Sequence, residues 1–154
     1  MKIFIGCDCI GFKLKDAIAK HIEKNHKEIE LIDCGCLSDS DNTAYPIFAE
    51  KVCKGVLSSE KDARGILICG TGIGMSITAN KFNGIYAAVC HDEYSCERSI
   101  LSNNANVMCM GQRIISEYAA IQLVDKWLSL IFYESPSSRK ISMIYAFEKE
   151  NMRD

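Results

Sequence analysis

Five short apolar runs that alternate with helix-period segments constrain this chain more than any other feature. Lys2 to Cys7, Ile29 to Asp33, Ala63 to Cys69, Ile85 to Cys90 and Asn106 to Met110 read as strands. Between them, apolar residues recur every three or four positions, as a helix with one buried face requires. Leu14, Ala17, Ile18 and Ile22 mark the first such face, in a helix reaching about Asn25 with His21 at its edge and His26 on the surface beyond. Phe48, Val52 and Val56 mark the second, with Pro46 in its first turn, where a missing N–H is tolerated. A short helix from Gly74 to about Lys81 follows, then one opened by His91-Asp92-Glu93, where His91 is expected in the cap. The clearest stripe is Ala120, Leu123, Val124, Trp127, Leu128 and Ile131. A break at Ser135-Pro136-Ser137-Ser138 precedes a last helix from Arg139 to about Lys149. Strands joined through helices pair in parallel. The expected fold is therefore a Rossmann-like three-layer α/β/α arrangement with a five-stranded parallel sheet. Its fourth strand, apolar almost throughout, is expected to be covered on both faces.

With 48% apolar and 25% charged residues, the 154-residue chain has enough apolar content for one core. It reads as a single domain over 1–154, with 135–154 as a C-terminal helical tail. A net charge of -2 gives no electrostatic basis for binding nucleic acid or a membrane surface. No run reaches the roughly 18 apolar residues of a membrane span. Met1-Lys2 leads straight into Ile3-Phe4-Ile5 without a signal-peptide layout, so a cytoplasmic location is expected. The nine cysteines then read as reduced thiols rather than a disulfide framework. Cys7/Cys9 and Cys34/Cys36 depart from zinc-site spacing, and no histidine follows at a suitable interval, so no metal is expected.

Chemistry concentrates in Ile68-Cys69-Gly70-Thr71-Gly72-Ile73-Gly74. Glycines at alternate positions let the backbone turn sharply and bring its N–H groups close to a ligand. A helix start adds unpaired amides and a positive dipole end, a combination that favours anions. A thiol in such a field deprotonates more readily than free cysteine and becomes a base or nucleophile. The pattern is not the dinucleotide fingerprint, because Met75 stands where a small residue is needed, and no Gly-Lys-Ser/Thr follows to make a P-loop. By local pattern alone, a tight strand-to-helix turn with a buried structural cysteine fits equally well. Parallel topology adds weight, since ligands bind beyond the carboxyl ends of such strands. Asp8, the Cys69 loop, His91 and the Gly111 region converge there.

Gly6-Cys7-Asp8, Tyr45-Pro46, the Cys-Gly-Thr-Gly segment with Ala79-Asn80-Lys81, Asn103, Asn106-Val107 and Gly111-Gln112-Arg113 together resemble the ribose-5-phosphate isomerase B family, which also contains galactose-6-phosphate isomerase subunits. The resemblance runs nearly end to end. It implies aldose–ketose isomerisation of a phosphorylated sugar through an enediolate, with neither metal nor cofactor. By this resemblance Cys69 is the base at C2 and C1, Thr71 assists proton movement at the hydroxyls, and the amides of Gly70, Gly72 and Gly74 hold the oxyanion. Asp8, Tyr45 and Asn103 contact sugar hydroxyls, Cys9 occupies a substrate-contact position, and Arg113 binds phosphate. The resemblance also implies a homodimer or dimer of dimers with a site shared between subunits.

The departures from the family pattern are specific. Cys9 and Ser102 replace two histidines, the second being the expected ring-opening acid/base. A phosphate-gripping tail is replaced by Glu134-Ser135-Pro136-Ser137-Ser138-Arg139-Lys140, in which Lys140 falls at the last arginine with Arg139 beside it; a phosphate contact from either and an exposed, solvated basic pair fit equally well. The expected reaction is interconversion of D-ribose 5-phosphate and D-ribulose 5-phosphate in the non-oxidative pentose phosphate pathway. Two alternatives stand beside it: a galactose or allose 6-phosphate isomerase, and a catalytically impaired sugar-phosphate-binding paralogue.

Overall fold

The computed structural model describes residues 1–59 and 62–152. Strands β1 (Lys2–Cys7), β2 (Glu30–Asp33), β3 (Ala63–Cys69), β4 (Ala87–Val89) and β5 (Val107–Gly111) form one parallel sheet in the order β2-β1-β3-β5-β4. Helices α1 (Phe12–Asn25), α2 (Tyr45–Ser58), α3 (Ile73–Ala79), α4 (Glu93–Leu101), α5 (Glu117–Ser129) and α6 (Ser138–Asn151) complete the alternation. The strand order reverses direction between the first and second crossovers. With right-handed connections, this puts α2 and α3 on one face and α1, α4 and α5 on the other. Packing of α2 against α3, and of α5 against both α1 and α4, agrees with this.

The central strands explain why the apolar runs are so continuous. Ile66, Leu67 and Ile68 of β3 and Val107 through Met110 of β5 are fully buried, covered by helices on both faces. Pairing of Cys7 with Ile68, and of Cys69 with Gly111, brings three carboxyl ends level at one edge of the sheet.

β4 departs from expectation. It is three residues long and only half-buried, because it is an edge strand with one lateral neighbour. Side chains at its ends replace ladder partners. Asn80 accepts from the Ala87 amide at 2.8 Å and donates to the Ala87 carbonyl at 2.9 Å. Asn106 accepts from the Tyr86 amide and donates to the Gly84 carbonyl, both at 2.8 Å. Two asparagines of the sequence motif thus anchor β4.

α5 also ends sooner than its apolar stripe. Leu130 is extended, and Ile131 is 74% exposed outside the helix. The stop comes from Arg64 of β3, whose guanidinium donates to the carbonyls of Trp127 at 2.8 Å and Leu130 at 2.7 Å. A helix's last carbonyls lack intrahelical donors, and Arg64 supplies two. Its guanidinium also lies 5.2 Å from the centre of the Trp127 ring, and Trp127 is fully buried with its indole N–H on Ser99. Replacing Arg64 with Met keeps the apolar stem and removes both bonds. We expect Arg64→Met to lower unfolding stability by about 1.5–3 kcal/mol. Urea titration followed by fluorescence of the single tryptophan checks this, and unchanged stability would refute the capping role.

Candidate active site

β3 delivers Cys69 to the carboxyl edge with its side chain buried and then turns at once. Gly72 adopts φ +80°, the left-handed conformation that only glycine takes readily. That conformation points the Gly72 amide at the Cys69 sulfur, 3.0 Å away. Burial pushes other thiols of the chain up, to about 12 at Cys53 and Cys96 and to about 11 at Cys90. Thr71 is exposed beside Cys69, and its hydroxyl accepts from the Ile73 amide that opens α3.

The turn after β5 clamps this loop. Gln112 N–H donates to the Cys69 carbonyl at 2.9 Å, and Arg113 N–H to the Gly70 carbonyl at 3.1 Å. A Cβ at Gly111 would sit 2.5 Å from Thr71 Cα, so the two backbones meet where no side chain fits. Arg113 is exposed, and its side chain runs past Gly70. On the other side, Asp8 accepts from the Gly11 amide at 3.0 Å and shapes the turn that carries half-buried Cys9. Ile10 of that turn lies against Gly70. Tyr45, at the start of α2, lays its ring over Gly74 so closely that a Cβ there would be 2.8 Å from it. One chain therefore brings together Cys69, Thr71, Gly70, Gly72, Gly74, Asp8, Cys9, Tyr45 and Arg113.

The Ribose/Galactose Isomerase family matches residues 3–144. The chain is 44% identical over 151 residues to Ribose-5-P isomerase B of Listeria innocua, covering 98% of this chain and 99% of that protein. It is also 44% identical over 149 residues to D-erythrulose-4-phosphate isomerase 2 of Mycolicibacterium smegmatis, covering 96% and 97%. Among solved structures, ribose-5-phosphate isomerase B of Clostridium thermocellum superposes with a TM-score of 0.90 at 41% identity, covering 97% of this chain and 99% of that one. The chain belongs to the ribose/galactose isomerase family.

Two positions marked by resemblance to the family lie elsewhere. α4 starts at the carboxyl edge and runs back along the sheet, so Ser102 at its C-cap and exposed Asn103 reach the amino edge. Asn103 donates to the Arg98 carbonyl and lines a hollow with Tyr86, Ala88 and Ile144. Arg139 and Lys140 are exposed on the first turn of α6.

Three residues support the site in roles that the sequence pattern did not assign. The Gln112 side chain accepts from Leu14 N–H at 2.8 Å, giving α1 the acceptor that its Gly11 cap lacks. Lys15 is only 3% exposed, and its ammonium holds Asp33 at 2.5 Å and the Cys36 carbonyl at 3.0 Å, fixing the start of the loop that leads to Tyr45. His91 does not cap α4. Asp92 does, accepting from the Ser95 amide at 2.8 Å. His91 Nε2 instead accepts from Gly111 N–H at 2.8 Å, which places the ring proton on Nδ1.

Desolvation lowers the His91 pKa below its ordinary value, outweighing the opposing effect of the Asp92 charge. The folded state therefore binds fewer protons than the unfolded chain just below pH 6.5, and stability falls as pH drops through that window. Protonation also breaks the bond to Gly111. NMR titration should show His91 and the Gly111 amide shifting together with a midpoint below 6.5. A His91 midpoint at or above that value would overturn the assignment.

Proposed function

We propose that this chain is an aldose–ketose isomerase interconverting ribose 5-phosphate and ribulose 5-phosphate. One observation carries the reading: a buried cysteine sulfur held by a loop amide, with Thr71 and Arg113 beside it. Cys69 as thiolate takes the proton from C2, and the freed electron pair forms the C1–C2 double bond as O1 is protonated. The O2 hydroxyl then gives up its proton, the C2 carbonyl forms, and the sulfur returns its proton to C1. Thr71 relays the hydroxyl protons, and amides of the Gly70–Gly74 loop stabilise the charge developing on oxygen. Gly72 N–H donates to the Cys69 sulfur at 3.0 Å and so holds the base in place. Asp8, Cys9 and Tyr45 contact the sugar, and Arg113 grips the phosphate as a bidentate fork.

Asn103 and Lys140 join the site from a second copy, since both lie away from Cys69 in one chain. Leu57, Ile73, Ile77, Ile144 and Phe147 supply exposed apolar surface for a homodimer. The working unit is a cytoplasmic homodimer or dimer of dimers of a single domain spanning 1–154, with 135–154 as its tail, acting in the non-oxidative pentose phosphate pathway.

The first test is Cys69→Ala, for which we expect a loss of about 10²–10⁴-fold in kcat with ribose 5-phosphate. Unaffected turnover would sink the mechanism. The 44% identity to a D-erythrulose-4-phosphate isomerase favours a shorter phosphosugar as the second reading. Comparing kcat/KM for erythrulose 4-phosphate, ribose 5-phosphate, and allose and galactose 6-phosphates ranks the readings. Binding without turnover on all four would instead indicate an impaired paralogue.

Ring opening gives a separate expectation. Ser102 lacks the imidazole that resemblance to the family assigns to this step, so Ser102→His should raise kcat on the cyclic aldose. An unchanged kcat would show that another group opens the ring.

A further inference from the structure

We propose that His21, His26 and Asp125 form a binding site for a divalent ion of the zinc class, at the edge of the sheet opposite Cys69. Two of the chain's three histidines converge there on one oxygen. His21 Nε2 and His26 Nε2 each lie 2.7 Å from Asp125 Oδ1. Their donor atoms all fall within 4.8 Å of one another. This is the one group of three potential ligand residues found among the described residues, and none forms at the Cys7/Cys9 or Cys34/Cys36 pairs.

Two imidazoles and a carboxylate are the borderline ligand set that suits zinc, cobalt and nickel. The outward nitrogens also have partners. His26 Nδ1 faces Glu28 Oε1 at 3.5 Å, and His21 Nδ1 faces the Asn25 side-chain amide at 3.1 Å. A metal-bound Nε2 needs its proton on Nδ1. Glu28 can accept that proton's hydrogen bond directly, whereas Asn25 Nδ2, which also donates to the His21 carbonyl at 3.0 Å, has to move off His21 Nδ1 and leave that place to water. All three ligand side chains are partly exposed, and a cavity of about 190 Å³ beside His26 and Asp125 gives an ion and its water a path in.

The location separates this site from catalysis. α1 begins at the carboxyl edge and ends at the amino edge, and the cavity is lined by Met1 and Ile29, which precede β1 and β2. A seven-residue strand such as β3 spans roughly 20 Å, so the ion lies about that far from Cys69. What it joins is the last turn of α1 and the turn into β2 to the middle of α5. Its effect is therefore on stability, through contacts about 100 residues apart in sequence that no backbone bond makes.

The test uses full-length Cys69→Ala, so that the reactive thiol does not compete for metal. Calorimetry with Zn²⁺ should give one site per chain, and saturating Zn²⁺ should raise Tm by about 5–10 °C. Adding His26→Gln or Asp125→Asn should abolish the Tm rise and weaken binding at least tenfold. Circular dichroism and the metal-free Tm of each variant verify that it is folded. In an otherwise wild-type chain, His26→Gln should leave isomerase activity unchanged. Co²⁺ should give d–d bands without thiolate-to-metal charge transfer. A charge-transfer band would move the ion to cysteines, and equal binding in the variants or none in the parent would leave the cluster a hydrogen-bonded staple. Each of these results overturns the proposal.

Discussion

The close approach of two backbones, at the turn after β3 and the turn after β5, is the constraint on which the site depends. The carbonyls of Cys69 and Gly70 are claimed by the amides of Gln112 and Arg113, and Gly111 lies against Thr71 with no space for a Cβ. A Cβ at Gly72 would meet the Met110 backbone at 2.9 Å. Sheet register sets this up by pairing Cys69 with Gly111. The Cys69 sulfur is thus positioned by a long-range backbone contact, and its neighbours are fixed by the same contact. Gln112 passes the constraint on to α1 through Leu14, and His91 braces Gly111 from the turn after β4.

Much of the fold was legible in the sequence because burial on both faces leaves a strong signature. β1, β3 and β5 are central, so their apolar runs are unbroken, and the observed bounds agree to within a residue or so. β4 misled because an apolar run is also compatible with an edge strand whose ends are held by side chains. Asn80 and Asn106 do this work through contacts that local pattern cannot reveal. α5 shows the same limit: Ile131 keeps helical spacing, while the stop comes from Arg64, more than sixty residues upstream.

In the site, the loop itself was legible, since alternate glycines after a buried strand have a direct geometric meaning. Its supports were not. Lys15 reads as a solvated charge on a helix yet is buried because Asp33 and the Cys36 carbonyl satisfy its ammonium. His91 stands beside a good cap residue and was read as part of the cap, while its real partner is an amide twenty residues on. His21 and His26 each look like isolated surface residues until α5 brings Asp125 to both. Asn103 was readable as a motif residue, but its place at the amino edge follows only from the direction of α4.

The crowding at Gly72, Gly74 and Gly111 limits how a lineage can drift. Any side chain at Gly72 or Gly111 would collide with backbone, and one at Gly74 would displace the Tyr45 ring. The turn that carries Cys69 therefore has little freedom to change piecemeal. On the proposed reading, adaptation to a sugar of another length acts on the rim, Cys9, Tyr45 and Arg113 included, where side chains have solvent or movable neighbours. A combinatorial library confined to those three positions varies the rim without spending members on an unfoldable loop.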